Sequence, residues 1–161
     1  MRTDRRRARE AAMRALYQMD ISGSSPEQAC EFAVAGSPDL DLPERAQLFA
    51  KTLVFGVVSK LKEIDDVIAR LARDWAVDRM SPTDRNVMRI AVFEMLYLHD
   101  APVAASIDEA VEIARLYGSA ESSRFVNGIL GSLAEMIKGG SGGESDARSG
   151  DGGGDAGEPR A

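Results

Sequence analysis

Apolar residues recur at helical rather than strand spacing along most of this chain. Ala8, Ala12, Ala15, Leu16 and Met19 form one stripe, which predicts a first helix capped near Thr3 or Asp4 and running to about Ile21. Ser25-Pro26-Glu27-Gln28 supplies an N-cap serine, a first-turn proline and a box-closing glutamine, so a short second helix is expected to about Ala35, with a loop from Pro38 to Pro43. Pro43-Glu44 opens a third, in which Ala46, Phe49, Ala50, Leu53 and Val57 share a face and Gly56 would let a neighbouring helix approach closely. Leu61, Ile64, Val67, Ile68 and Leu71 make a fourth.

Ser81-Pro82-Thr83-Asp84 starts a fifth helix, and its run from Val87 to Leu98 is apolar on almost every side apart from Arg89 and Glu94. Such a helix belongs in the middle of a bundle. After a break at Asp100-Ala101-Pro102, Ser106-Ile107-Asp108-Glu109 reads as the capping box of a sixth helix that ends at Tyr117-Gly118. A seventh spans about Glu121 to Lys138 on the stripe Val126, Ile129, Leu130, Leu133 and Ile137. With no strand alternation and no internal repeat, the expected fold class is all-α, with about seven helices.

Composition then narrows the function classes. Length 161 and 44% hydrophobic residues suit one domain with a real core. Residues 139–161 hold nine glycines among serines and acids, with no apolar periodicity, and read as a disordered acidic tail. A single cysteine, Cys30, and a single histidine, His99, exclude an internal disulfide and an ordinary Cys/His zinc site. No signal peptide or membrane-spanning run is evident, so a cytoplasmic protein is expected. Phosphate loop, dinucleotide fingerprint and nucleophile elbow are all lacking. His99 fits a capping or surface role, Cys30 a packed one, and Asp65-Asp66 and Asp108-Glu109 fit solvated helix surfaces or first turns. The expectation is a protein without catalytic residues, cofactor or metal.

The net charge of −6 is unevenly spread: from Met1 to Arg14 there are six arginines against only Asp4 and Glu10. Crowded arginines repel one another and weaken a helix unless a polyanion is available. At 100° per residue, Arg2, Arg5, Arg6 and Arg9 fall within about a quarter of the circumference, beside the apolar stripe. Met13 and Tyr17 continue the line of Arg6, giving a guanidinium ridge that leads to an aromatic ring. Guanidinium groups grip phosphates while bases stack on rings, which suits single-stranded RNA better than duplex DNA.

Four separated motifs then carry a resemblance. Arg5-Arg6-Arg7-Ala8-Arg9-Glu10 with Ala15-Leu16-Tyr17, Met88-Arg89-Ile90-Ala91-Val92-Phe93-Glu94-Met95, Ile107-Asp108-Glu109-Ala110-Val111-Glu112-Ile113-Ala114 and Phe125-Val126-Asn127-Gly128-Ile129-Leu130 resemble, in order and spacing, the bacterial NusB family of transcription antitermination proteins. The resemblance covers roughly Arg5 to Lys138. It implies two packed helical subdomains, about 1–78 and 79–138, within an RNA-binding domain spanning 1–138. It also implies an adaptor that binds boxA RNA of ribosomal-operon leaders together with the small-subunit ribosomal protein NusE. The pair would join other Nus factors on RNA polymerase and help it read through terminators.

Carried over by position, the RNA-binding residues would be Arg5, Arg6, Arg7, Arg9, Tyr17, Arg89, Phe125 and Asn127. Taken alone, Arg89 is most simply an ion-pair partner in helix packing and Phe125 a core residue. Arg124 stands where many members have lysine, and Glu121 places a negative charge near the implied RNA surface. A homodimer is compatible with the resemblance. Two other classes stay open: the helical RNA-binding domain of an RNA cytosine methyltransferase, which would need a following cofactor domain, and a structural interaction module with an incidental basic end.

Overall fold

A computed structural model describes residues 3–73 and 75–153, with side chains described as far as residue 140. Seven α-helices follow in order: α1 (Asp4–Ser22), α2 (Pro26–Cys30), α3 (Glu44–Ser59), α4 (Leu61–Ala72), α5 (Pro82–Phe93), α6 (Val103–Tyr117) and α7 (Ser122–Gly153). The described residues contain no strand. α2 and α5 each widen into a terminal π-helical turn, Glu31–Ala35 and Glu94–Leu98, so the expected second and fifth helices each divide into two helix types.

Local chemistry sets the helix ends. Thr3 caps α1 by accepting from the Arg6 amide at 3.0 Å, and Gly23 ends it with φ 73°. Only glycine adopts that left-handed conformation without steric cost. Ser25 and Gln28 form the expected reciprocal capping box. His99 ends the second π turn with φ 52°, its amide donating to the Glu94 carbonyl at 2.8 Å.

Two ends depart from expectation. α6 begins at Val103, directly after Pro102, and Ser106 is buried inside the helix instead of capping it. The proline presets the entry dihedral, and Val103-Ala104-Ala105 contains no residue that would delay the first turn. α7 continues past the expected stop at Lys138 to Gly153. The rest of the expected disordered tail, 154–161, lies outside the described residues.

Packing centres on α5, whose residues from Asn86 to Phe93 are all buried and which touches α1, α3, α4, α6 and α7. α1 approaches closely because its inner face is mostly alanine: Ala8, Ala11, Ala12 and Ala15 are fully buried. At the α3–α5 crossing, the Phe93 ring lies over Gly56, where a β-carbon would overlap it. Gly118 is required by space rather than by dihedral, since its φ is −99° and a β-carbon would meet Ser122 Oγ and, at 2.8 Å, the Ala114 carbonyl. No helix among the described residues is long and apolar enough to cross a membrane.

Candidate nucleic-acid interface

The arginines of α1 divide into outer and inner members. Arg5 has a side chain 54% exposed, lies over the Phe49 ring of α3 at 4.0 Å and donates to Asp100. Arg6 donates to Glu109 of α6, a bond that raises its already high pKa. Arg7 donates to Asp4 one turn back and to the carbonyl oxygens of Leu40 and Asp41 at 3.0 and 3.3 Å.

Arg9 is different. It is only 6% exposed and grips the buried Glu94 through two bonds, Nε to Oε2 at 2.9 Å and Nη2 to Oε1 at 2.7 Å. Burial pushes the Glu94 carboxyl up while the fork pulls it back, and the same fork holds the Arg9 guanidinium charged against its own desolvation. Met13, expected to continue the ridge, is also buried. Among the described residues the guanidinium surface therefore consists of Arg5, Arg6 and Arg7, with Arg9 fixing the helix that carries them, while Arg2 of the expected ridge lies outside the described residues.

Farther along α1, Tyr17 is 40% exposed and lines an open groove of about 420 Å³ with Arg14, Thr83 and Tyr117. Arg14 donates to both carboxylate oxygens of Asp39, at 2.9 and 3.1 Å, and to the Tyr117 hydroxyl at 2.7 Å. That hydroxyl in turn donates to the buried Glu10 at 2.7 Å. Arg6 meets Glu109 and Arg14 meets Tyr117, eight residues further on in each helix, so α1 and α6 run in the same direction along this face.

Phe125 is half-buried at the start of α7 and lines the next groove, of about 510 Å³, together with Trp75, Asp84 and Glu121. Asn127 and Arg124 are exposed on the same helix. The two grooves adjoin through the start of α5, where Thr83 lines one and Asp84 the other, and through the turn from Tyr117 to Ser119. The fold thus brings Tyr17 and Phe125 to neighbouring grooves.

Arg89 belongs elsewhere. Its guanidinium forks onto Asp65 of α4 at 2.8 and 2.9 Å, reaches Asn86 at 2.9 Å and contacts Asp20 of α1 at 3.3 Å. Asp20 also accepts from Arg85 at 2.8 Å and Asn86 at 2.9 Å. Burial alone would raise the Asp20 pKa, but these partners hold it below the usual aspartate value. Asp65 and Glu109, expected as simply solvated carboxylates, are instead the acceptors that fix Arg89 and Arg6. Sequence separations of 24 and 103 residues put both pairings beyond the reach of local spacing rules.

Cys30 is buried, and burial pushes its thiol pKa up. Among the described residues no cluster of His, Cys, Asp and Glu could hold a metal ion. What this surface offers is a row of partly exposed guanidiniums followed by two aromatic grooves.

Comparison with known proteins gives this geometry a context. The sequence model of the NusB family matches residues 6–135. The transcription antitermination protein NusB of Symbiobacterium thermophilum is 43% identical over 143 residues, covering 86% of this chain and 94% of the relative. The solved structure of T. maritima NusB matches with a TM-score of 0.75 at 39% identity, over 84% of this chain and 93% of that one. A solved complex of antitermination factors NusB and NusE with double-stranded RNA contains a chain that matches with a TM-score of 0.74 at 26% identity, over 84% of this chain and 99% of that one.

Proposed function

The chain belongs to the NusB family of transcription antitermination proteins, which are not enzymes, and on that premise we propose that it binds single-stranded boxA-type RNA of ribosomal-operon leaders in partnership with NusE. The pair then joins other Nus factors on RNA polymerase in the cytoplasm and helps it read through terminators. The observation that carries this reading is the set of guanidiniums on α1. Arg5, Arg6 and Arg7 stand at the surface, charged, and held by carboxylates and carbonyls that a phosphate can replace.

The exchange is close to balanced, because each arginine trades one charge-assisted bond for another. Affinity then rests on released counterions and on bases stacking in the grooves beyond, at Tyr17 and Phe125, with Asn127 offering an amide to a base edge. A balanced exchange makes RNA binding modest for this chain alone and stronger when NusE adds contacts. Arg9 and Arg89 act by positioning α1 rather than by touching RNA.

The test is binding of a boxA-like RNA against a scrambled RNA of equal length, with and without NusE. A preference for the boxA-like strand that grows when NusE is present is the expected result. Equal affinity for both RNAs under both conditions would overturn the proposal.

A further inference from the structure

Phe32 has been given no role so far. It sits in the π turn after α2, between residues that pack inward: Ala29, Cys30, Ala33 and Val34 are all buried, whereas Phe32 is 66% exposed. That makes it the most exposed large apolar side chain among the described residues. A single exposed phenylalanine is unremarkable on its own. This one, however, lines the same groove as Tyr17, so two aromatic rings from different elements border one open space of about 420 Å³. π turns are frequent at functional sites, since the extra residue re-aims a side chain without ending the helix.

Charge indicates which occupant fits. The large open grooves among the described residues differ in the charges that line them. The groove at Phe125 carries Asp84 and Glu121 beside Arg79, the one at Phe49 carries Asp4 beside Arg5 and Arg45, and the one at Arg89 carries Asp20, Asp65, Asp66 and Asp78 beside Arg85 and Arg89. The Tyr17–Phe32 groove has no carboxylate in its lining, and its charged member is Arg14. Two acids outside the lining bond to groups within it: Asp39 accepts from Arg14, and the buried Glu10 accepts from the Tyr117 hydroxyl. Gln18 and Thr83 add an amide and a hydroxyl, groups that hydrogen-bond either to donors or to acceptors on a base edge. The groove also lies on the helix that carries the guanidinium row, about 16 Å beyond Arg6 at 1.5 Å per residue.

We propose that the Tyr17–Phe32 groove is a nucleobase site, in which Phe32 supplies a second stacking surface for an unstacked base of the RNA strand whose phosphates lie on Arg5 and Arg6. This rests on the RNA-binding reading above and adds to it a residue, Phe32, and a subsite. Neighbouring polar groups at Gln18 and Thr83 would favour one base over another there.

Phe32 suits a clean test because its side chain lies outside the core, so Phe32→Ser should fold with an unchanged thermal midpoint. Using the full chain with NusE and a boxA-like RNA, Phe32→Ser should bind roughly tenfold more weakly, the size expected for loss of one base–aromatic stack. The dependence on salt should not change, since no charge is removed, and Phe32→Tyr should restore affinity. If the wild type binds RNA and Phe32→Ser binds equally well, the groove proposal fails and the RNA-binding reading stands. If the wild type binds no RNA at all, both fail. A Phe32→Ser protein that loses self-association in sedimentation, or loses NusE while keeping its affinity for RNA alone, would assign the groove to a protein contact and overturn the nucleobase site.

Discussion

Arg6 and Arg9 stand three residues apart on one helix, and the fold uses them in opposite ways. Arg6 reaches sideways to Glu109 with a quarter of its side chain in solvent, whereas Arg9 is sealed against Glu94 with both partners almost fully buried. The difference comes from what lies beneath each position. Arg9 projects toward α5 and its π turn, and Arg6 toward the outer edge of α6. An arginine-rich segment is therefore two devices: an outer set whose guanidiniums are partly exposed, and an inner one whose charge is committed to the fold. Arg89, forked on Asp65, is a second inner member on a different helix.

This contrast can be broken most forcefully at Arg9. Arg9→Ala leaves Glu94 buried without its partner, so unfolding by urea should show a loss of about 3–5 kcal/mol. A loss below about 1 kcal/mol would put Arg9 among the outer arginines. Replacing both members, as Arg9→Met with Glu94→Leu, should recover most of that stability and leave RNA affinity within about twofold of the wild type, since both side chains are buried.

The second inner cluster gives a pH signature. Asp20 has its pKa lowered in the folded state, so the unfolded chain takes up the proton first as pH falls. Its contribution is complete above the ordinary aspartate value of about 4 and disappears as pH drops through the lower folded value. Asp20→Asn should accordingly be less stable at pH 7 and should flatten the decline in thermal midpoint below about pH 4. An unchanged acid limb would remove Asp20 from the cluster.

Smaller effects are expected at the outer set. Glu109→Gln releases Arg6 from its internal anion and should tighten RNA binding by about two- to fivefold, the scale of a partly exposed ion pair. Weaker binding would show that Glu109 orients Arg6 for RNA instead of competing with it. Smallest of all, Glu121→Gln, at the rim of the Phe125 groove, should tighten RNA binding by less than about twofold at low salt, and by nothing at high salt. An equal or weaker affinity at low salt would count against an RNA path past that groove.

Much of this was legible along the chain because it depends on neighbours. The start and end of α1, the capping box at Ser25, the buried α5 and the close approach at Gly56 all follow from spacing and capping chemistry within a few residues. Ser106 misled because a capping-box pattern is also a workable helix interior once Pro102 has opened the helix earlier. Arg9 could not be told from Arg6 by periodicity, since both lie at the border of the apolar stripe and only the position of Glu94, 85 residues away, decides which is buried. Trp75 and Phe32 escaped for the same reason: their exposure depends on which helices leave them uncovered.

The central claim is that the outer arginines, and not Arg9, meet RNA phosphates. The direct measurement is RNA affinity against salt concentration for the wild type and for Arg5→Ala/Arg6→Ala, with folding verified by thermal denaturation. Three phosphate contacts at about 0.7 each give a slope of log K against log salt near −2, and the double variant should fall to about −0.7 with its helical fold intact. An unchanged slope in a folded double variant would contradict the account.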